Sequence, residues 1–335
     1  MVYQHPLAYL LGLEGAALLR AYAGEHDRAF GEARVAEIRR LLDSGSLKDD
    51  GVVAAPVDTV DGYRVWSATY DNPGNGLFPY EEPIVHDIVA ALPPGVALDA
   101  ACGTGRHAEY LAGRGHRVIG VDSSPDMLER ARVRVPSADF RPGDLDRLPV
   151  PDDHADLVVC GLALVHLSDL RSAFAEFARV LRPGGHLVVT DVHRDLVALG
   201  SVPHVRLADG SPGLLSAHGH LASEYLGAAL PLGLRLLRCE EPRSPGHDDA
   251  GHDETAHPAS QDPASQDPAS QDPASQDPAS QDPAGEIAAG EVTAGEIVVG
   301  PWDVWPWSLH EVVPAAAEAA FRGTPAVVVW HFQLD

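Results

Sequence analysis

Lysine is almost missing from this chain: Lys48 stands alone against 23 arginines, within a formal net charge of −25. A surface that tracks phosphates needs clustered Lys and Arg, so this balance argues against a nucleic-acid partner. The shortage of lysine itself fits GC-rich coding as readily as any binding role. Cysteine is scarce too. Cys102, Cys160 and Cys239 are odd in number and far apart, with no C-x-x-C pair. That pattern excludes a disulfide framework and a zinc site, and it points to a reduced, cytoplasmic setting. Aromatic residues make up only 6% of a chain that is 45% hydrophobic, an ordinary balance for a soluble core. The opening stretch MVYQHPLAYLLGLEG lacks a basic region, and Gly12 and Glu14 interrupt its apolar run. Neither a signal peptide nor a membrane span is expected.

The negative charge is concentrated. Residues 240–300 carry fourteen acids and one arginine, and within them PASQD repeats five times from Pro258, followed by AGEIA, AGEVT and AGEIV. A period of five matches neither helix nor strand, and such residues cannot bury a core, so 242–298 reads as a disordered low-complexity insertion. Expansion of a tolerated surface loop explains it without any partner.

Elsewhere the pattern is regular. Residues 6–43 read as two helices divided at Gly24, and 43–51 as a loop. A helix over 81–92 stops at Pro93 and Pro94. From there strands are expected at 96–101, 117–122, 138–143, 155–160 and 186–192, with helices at 106–114, 124–135 and 168–181. Strand–helix alternation of this kind builds right-handed β-α-β units and a parallel sheet covered on both faces. Two further strands, 234–241 and 326–334, flank the insertion. Four regions follow: a helical extension (1–55), an α/β core (56–241), the insertion (242–298), and a final helix and strand completing the core (299–335).

The chemistry centres on ALDAACGTGRHAEYL, residues 97–111, where a strand enters a glycine-rich bend and leaves as a helix. Gly103, Gly105 and Ala108 satisfy the dinucleotide spacing, and Asp122 follows about 20 residues on, where a ribose-binding acid belongs. Asp99 separates the candidate ligands. A buried carboxylate four residues before Gly103 would repel a pyrophosphate, yet it would suit a ligand that carries positive charge and no phosphate. S-adenosylmethionine has an ammonium group, a sulfonium and an adenosine.

LDAACGTGRHAEYLAGRGHRVIGVDSSPDML, then GDLDRLPVPDDHADLVVC and LRPGGHLVVTDVH, resembles the class I S-adenosylmethionine-dependent methyltransferases of small-molecule type. The likeness runs over about residues 60–240 and takes in the last strand. It implies a Rossmann-like, doubly wound α/β sheet of seven strands with the last antiparallel, so that 234–241 and 326–334 form a closing hairpin split by the insertion. It also implies site residues. Gly103 and Gly105, with Cys102 between Ala101 and Gly103, would let the backbone approach the methionine part; Ala101 stands where the family often has a third glycine. Asp99 would orient the loop or draw the ammonium. Asp122, with Ser123 beside it, would accept the ribose hydroxyls. Met127 and Leu145 would flank the adenine, and Asp144 would accept from its amino group. A carbonyl near Cys160 would take the ammonium, and Tyr70 would close the pocket.

Methyl transfer disperses charge instead of creating it, so alignment in a dry pocket is the main requirement. A base is needed only when the acceptor carries a proton that must leave. His166 and His193, following the fourth and fifth core strands, are the candidates, although either could equally cap or pack. His218 and His220 lie where the family builds its substrate site, whereas His247, His252 and His257 fall in the insertion. No metal site is expected. The stretch CGLAL from Cys160 lacks the Asn/Asp-Pro-Pro-aromatic tetrad of amide and nucleobase methylating relatives, which leaves O-, C-, S- and amine N-acceptors among small molecules. PWDVWPWSLH, residues 301–310, could staple onto the sheet or wall the substrate pocket. Two rival readings stay open: a nicotinamide-dependent oxidoreductase, and a non-catalytic cofactor-binding protein acting through its acidic insertion.

Overall fold

The computed structural model describes residues 1–44, 51–72, 75–207, 209–243 and 307–335. The PASQD repeats, His247, His252 and His257 just before them, and residues 301–306 of the tryptophan-rich stretch lie outside the described residues.

The chain opens with a short strand β1 (Val2–Gln4), then two helices, α1 (Pro6–Tyr22) and α2 (Arg28–Asp43). His5 and Asp27 cap them, each accepting a backbone N–H from the first turn. Strand β2 (Val52–Val57), α3 (Thr59–Trp66) and α4 (Phe78–Ala90) lead into the alternating part. There follow β3 (Val96–Ala100), α5 (Arg106–Gly113), β4 (Arg117–Asp122), α6 (Pro125–Arg134), β5 (Asp139–Pro142), β6 (Ala155–Gly161), α7 (Arg171–Val180) and β7 (Leu181–Val192). The remainder is α8 (Arg194–Ala198), β8 (His204–Arg206), β9 (Pro212–Leu215), α9 (Ala222–Ala229), β10 (Leu234–Glu240), α10 (Pro314–Phe321) and β11 (Val327–Leu334).

Seven of these strands form one sheet in the order β10-β11-β7-β6-β3-β4-β5. β3, β4, β5, β6 and β7 pair in parallel, and β11 lies antiparallel between β7 and β10. The closing hairpin therefore stands as expected, with the insertion in its connection. Period-2 alternation divides each strand between two cores. Leu98, Val158, Val189 and Phe332 face α7 and α9, around Phe174, Phe177 and Tyr225. Ala97, Val118, Leu157, Val159 and Val188 face α4, α5 and α6, around Val85, Leu111 and Leu128. A third cluster joins α1 and α2 to α10 through Leu10, Leu13, Leu41, Val313 and Ala316.

Strand β7 starts five residues earlier than the sequence suggests. Leu181 pairs with Ala155, and the register then jumps so that His186 meets Leu157. The Arg-Pro-Gly-Gly turn between them loops outward, with Gly184 at φ +80°. A second, four-stranded sheet was not expected at all. It runs β1-β2-β9-β8, with Ala55 opposite Gly213 in the one parallel pairing, and it packs Val57, Val205 and Leu215 against Trp66 and Tyr63 of α3. Among the described residues no helix is long and apolar enough to cross a membrane.

Candidate functional site

The carboxyl ends of β3, β4, β5, β6 and β7 share one edge of the sheet, where open α/β folds bind ligands. The bend after β3 is tightly wound. Ala101, Gly103 and Gly105 all take left-handed backbone, at φ +57°, +53° and +84°. At Gly105 a Cβ would also meet Ala131 of α6 at 3.2 Å. At Gly103 a Cβ would meet no protein atom within 4 Å, so the backbone there borders open space. Ala101 holds its conformation at a cost of about 1 kcal/mol, the physical reason a third glycine is common at this position.

Two carboxylates fix the bend from below. Asp122 ends β4, and its Oδ2 accepts the Gly103 N–H at 2.7 Å while Oδ1 accepts the Ser124 N–H at 2.8 Å. Burial pushes its carboxyl above the ordinary range, although the two N–H groups pull it back down. Asp99 is 1% exposed and accepts the Ala108 N–H of α5 through Oδ2 at 2.8 Å. Its Oδ1 is buried with no hydrogen-bond partner, an acceptor waiting for a donor. Burial pushes the Asp99 carboxyl up to about 6.

That shift makes a testable statement. Below about pH 4 the carboxyl is protonated in both folded and unfolded chains; as pH rises through 6 the native state must ionise it in a dry site. The Asp99 contribution to stability therefore falls by about 2–3 kcal/mol over this window. Asp99→Asn keeps an oxygen for the Ala108 N–H and removes the charge. In urea denaturation of the ligand-free protein it should match wild type at pH 4 and exceed it at pH 7. A less stable variant at pH 7 would mean the carboxylate is compensated after all.

The other residues expected at this site surround the bend. Ser124 caps α6, its hydroxyl accepting from the Met127 N–H at 3.4 Å, while Ser123 beside it is exposed and Met127 is buried. Asp144 stands exposed in the turn after β5, and Leu145 packs half-buried against the core. Cys102 donates its N–H to the Val121 carbonyl at 2.9 Å, and Cys160 lies fully inside β6. Burial pushes both thiols up, so they stay protonated. Tyr70 sits between the rings of Tyr63 and Phe78, at 5.8 and 6.0 Å.

Two groupings at this edge carry no motif. In the first, Asp71 accepts the Thr104 hydroxyl at 2.7 Å and pairs with Arg134 at 2.8 Å, while Arg134 also donates to Thr104. This ties the segment carrying Tyr70 down onto the glycine bend. In the second, Arg106, the first residue of α5, binds buried Glu81 of α4 and, at 2.9 Å, Glu82. Glu81 also receives the Thr190 hydroxyl from β7 and lies 3.5 Å from His107. Burial works to raise the Glu81 carboxyl, but Arg106, His107 and Thr190 outweigh it and hold it at about 2.

The candidate histidines separate. His166 ends a short 3-10 turn after β6, with Nδ1 2.8 Å from the Ser216 carbonyl and Nε2 2.9 Å from the Tyr63 hydroxyl. His193 caps α8 by accepting the Asp195 N–H and lies 3.4 Å from Glu241. It lines a cleft of about 420 Å3 with Tyr225, Trp330 and His220, between α8, α9 and β11. His166 thus meets Tyr63, whereas His193 is engaged with Asp195 and Glu241. His220 donates to the Leu164 carbonyl, and the His218 N–H to that of Val165.

Residues 98–189 match the family model described as a methyltransferase domain. A malonyl-[acyl-carrier protein] O-methyltransferase of Yersinia pestis is 42% identical over 90 residues, covering 27% of this chain and 34% of that protein. A demethylmenaquinone methyltransferase of Renibacterium salmoninarum is 39% identical over 108 residues, 32% of this chain and 46% of that one. The chain thus spans about a third to a half of the length of these relatives. A crystal structure of an S-adenosylmethionine-dependent methyltransferase from Mesorhizobium loti aligns with a TM-score of 0.45 at 20% identity, over 76% of this chain and 97% of that one.

Proposed function

We propose that the chain is a class I S-adenosylmethionine-dependent methyltransferase that methylates a small-molecule acceptor, free or carrier-linked, a reading that the match of residues 98–189 to a methyltransferase domain supports. The observation that carries this reading is the pair of carboxylates around the glycine bend. Each Asp122 oxygen, accepting one backbone N–H at 2.7 or 2.8 Å, would also accept a ribose hydroxyl. Asp99 offers Oδ1 to an ammonium, directly or through water. The open space at Gly103 leaves room for the amino-acid part. Asp144, Leu145 and Met127 would meet the adenine, the Cys160 carbonyl the ammonium, and Tyr70 would close over the whole.

The bound cofactor supplies a methyl group on a sulfonium, an activated carbon needing no acid to help it leave. The chain's own residues then align and exclude water, the task of a strapped pocket. The relatives' names support the acceptor class, one a malonyl-[acyl-carrier protein] O-methyltransferase and the other a demethylmenaquinone methyltransferase. Both favour small organic acceptors, and the acidic charge of this chain argues against nucleic acid.

Calorimetric titration with S-adenosylmethionine, S-adenosylhomocysteine and NADH tests the reading. Micromolar binding of the first two with none of NADH is expected. Binding of NADH alone would replace methyl transfer by hydride transfer.

A further inference from the structure

Tyr63 belongs to no motif, yet it is held at the edge of the sheet by a network with a defined direction. Its ring faces inward from α3, edge-on to the His166 imidazole at 88° with the ring centres 5.5 Å apart. The Ser216 carbonyl can only accept, so the His166 proton sits on Nδ1 and Nε2 is left to accept the Tyr63 O–H. The turn carrying His166 is itself pinned, because the 216–220 segment hydrogen-bonds the Leu164 and Val165 carbonyls. Burial keeps His166 neutral by pushing its pKa down, and the nearby His218 adds to this. Burial likewise holds the proton on Tyr63, reinforced by Tyr70, Asp122 and Asp191. The last two are acids at the ends of β4 and β7, so the Tyr63 oxygen lies in the field of both, on the side of the ribose-binding acid. Among the described residues that oxygen has no second hydrogen-bond partner, and its lone pairs are uncommitted.

We propose that Tyr63 is a catalytic residue for a protic acceptor, a hydroxyl or an acidic C–H, taking the acceptor's proton while passing its own to His166. This rests on the methyltransferase reading above. The acceptor's electron pair forms the bond to the methyl carbon, and the methyl–sulfur pair stays on sulfur. The acceptor's proton moves to Tyr63 Oη as the tyrosine proton moves to His166 Nε2. The imidazolium so formed keeps Nδ1–H on the Ser216 carbonyl and releases its extra proton to solvent. His166 acts through Tyr63 and is a positioning residue for it.

The test uses full-length protein with tritium-labelled methyl donor, and as acceptors catechol and the dialysable fraction of a bacterial extract. Wild type, Tyr63→Phe, His166→Ala and His166→Gln are compared. Transfer should fall about 100-fold or more in all three variants, with S-adenosylmethionine affinity within about twofold of wild type. His166→Gln is the discriminating variant: an amide can accept the Tyr63 hydrogen bond but cannot take the proton, so it rescues a structural role and not this one. Nitrogen-15 NMR should find His166 neutral with its proton on Nδ1. The wild-type rate should fall in acid as His166 protonates, opposed by burial and by His218 and favoured by the Ser216 carbonyl, and that acid limb should vanish in Tyr63→Phe. Near-normal transfer by Tyr63→Phe, or recovery in His166→Gln, overturns the proposal. Donor binding without label transfer to any acceptor overturns the protic-acceptor relay alone, whereas no donor binding overturns the parent reading.

Discussion

Arg106→Met is expected to cost about 3–5 kcal/mol of folding stability at neutral pH. Glu81 is fully buried, and its carboxylate is satisfied by Arg106 and by the Thr190 hydroxyl, with His107 Nε2 3.5 Å away. Methionine keeps the packing on the Phe78 ring, over which the guanidinium carbon now stacks at 4.1 Å, but removes the one permanent cation. The remaining carboxylate must then either stay ionised in a dry site or take up a proton. In the wild type Glu81 is depressed to about 2, so its contribution is present above the ordinary glutamate range and is lost as pH falls toward 2. In the variant the sign reverses, because burial alone raises the carboxyl, and the deficit should shrink in acid. Urea denaturation at pH 5 and pH 8 reads this difference. Adding Glu81→Gln to Arg106→Met should restore much of the loss, since a neutral amide can still accept the Thr190 hydrogen bond. Single and double variants that lose the same amount would show that the four side chains do not act as a unit.

The central sheet was legible because its inner strands are buried on both faces. Runs such as VALDA, RVIGVD and ADLVVC are short, apolar and bounded by turns, and six of the seven strands of the sheet stand within a residue of their expected bounds, β7 alone starting five residues early. The glycine bend was legible because its residues adjoin in sequence, and Asp122 because it ends the next strand at a fixed spacing, 19 positions beyond Gly103. What stayed hidden is long-range. β1 and β8 have three residues each, and β9 contains both Pro212 and Gly213, so only the partner strand makes them strands at all. The Glu81–Arg106–Thr190 cluster joins α4, α5 and β7, and the Tyr63–His166 pair spans 103 positions. No local spacing announces such contacts. His166 could be singled out for its place after β6, but its partner could not. His193 shared the same positional signal and is instead engaged with α8 and Glu241.

Asp122→Ala is expected to weaken S-adenosylmethionine binding by about 100-fold or more, from the loss of charge-assisted bonds to two ribose hydroxyls. The effect has two sources that a second ligand can separate. Alanine removes the acceptors, and it also frees the Gly103 N–H that Asp122 fixes at 2.7 Å, loosening the bend itself. 5′-Methylthioadenosine shares the adenosine with the cofactor and lacks the ammonium. Asp122→Ala should weaken both ligands, because both present the ribose. Asp99→Asn should weaken S-adenosylmethionine and S-adenosylhomocysteine while leaving 5′-methylthioadenosine unchanged, because Asp99 Oδ1 has only the ammonium to meet. Affinity for the full cofactor should then rise with pH through about 6 in wild type, as Asp99 ionises, and not in Asp99→Asn. Neither change should unfold the protein, since each removes a carboxyl whose burial already opposes its charge. Calorimetry of the two variants with the three ligands decides the assignment. Equal losses for 5′-methylthioadenosine in both variants would mean that Asp99 shapes the bend and does not receive the ammonium. An Asp122→Ala affinity within threefold of wild type would remove the ribose from the end of β4.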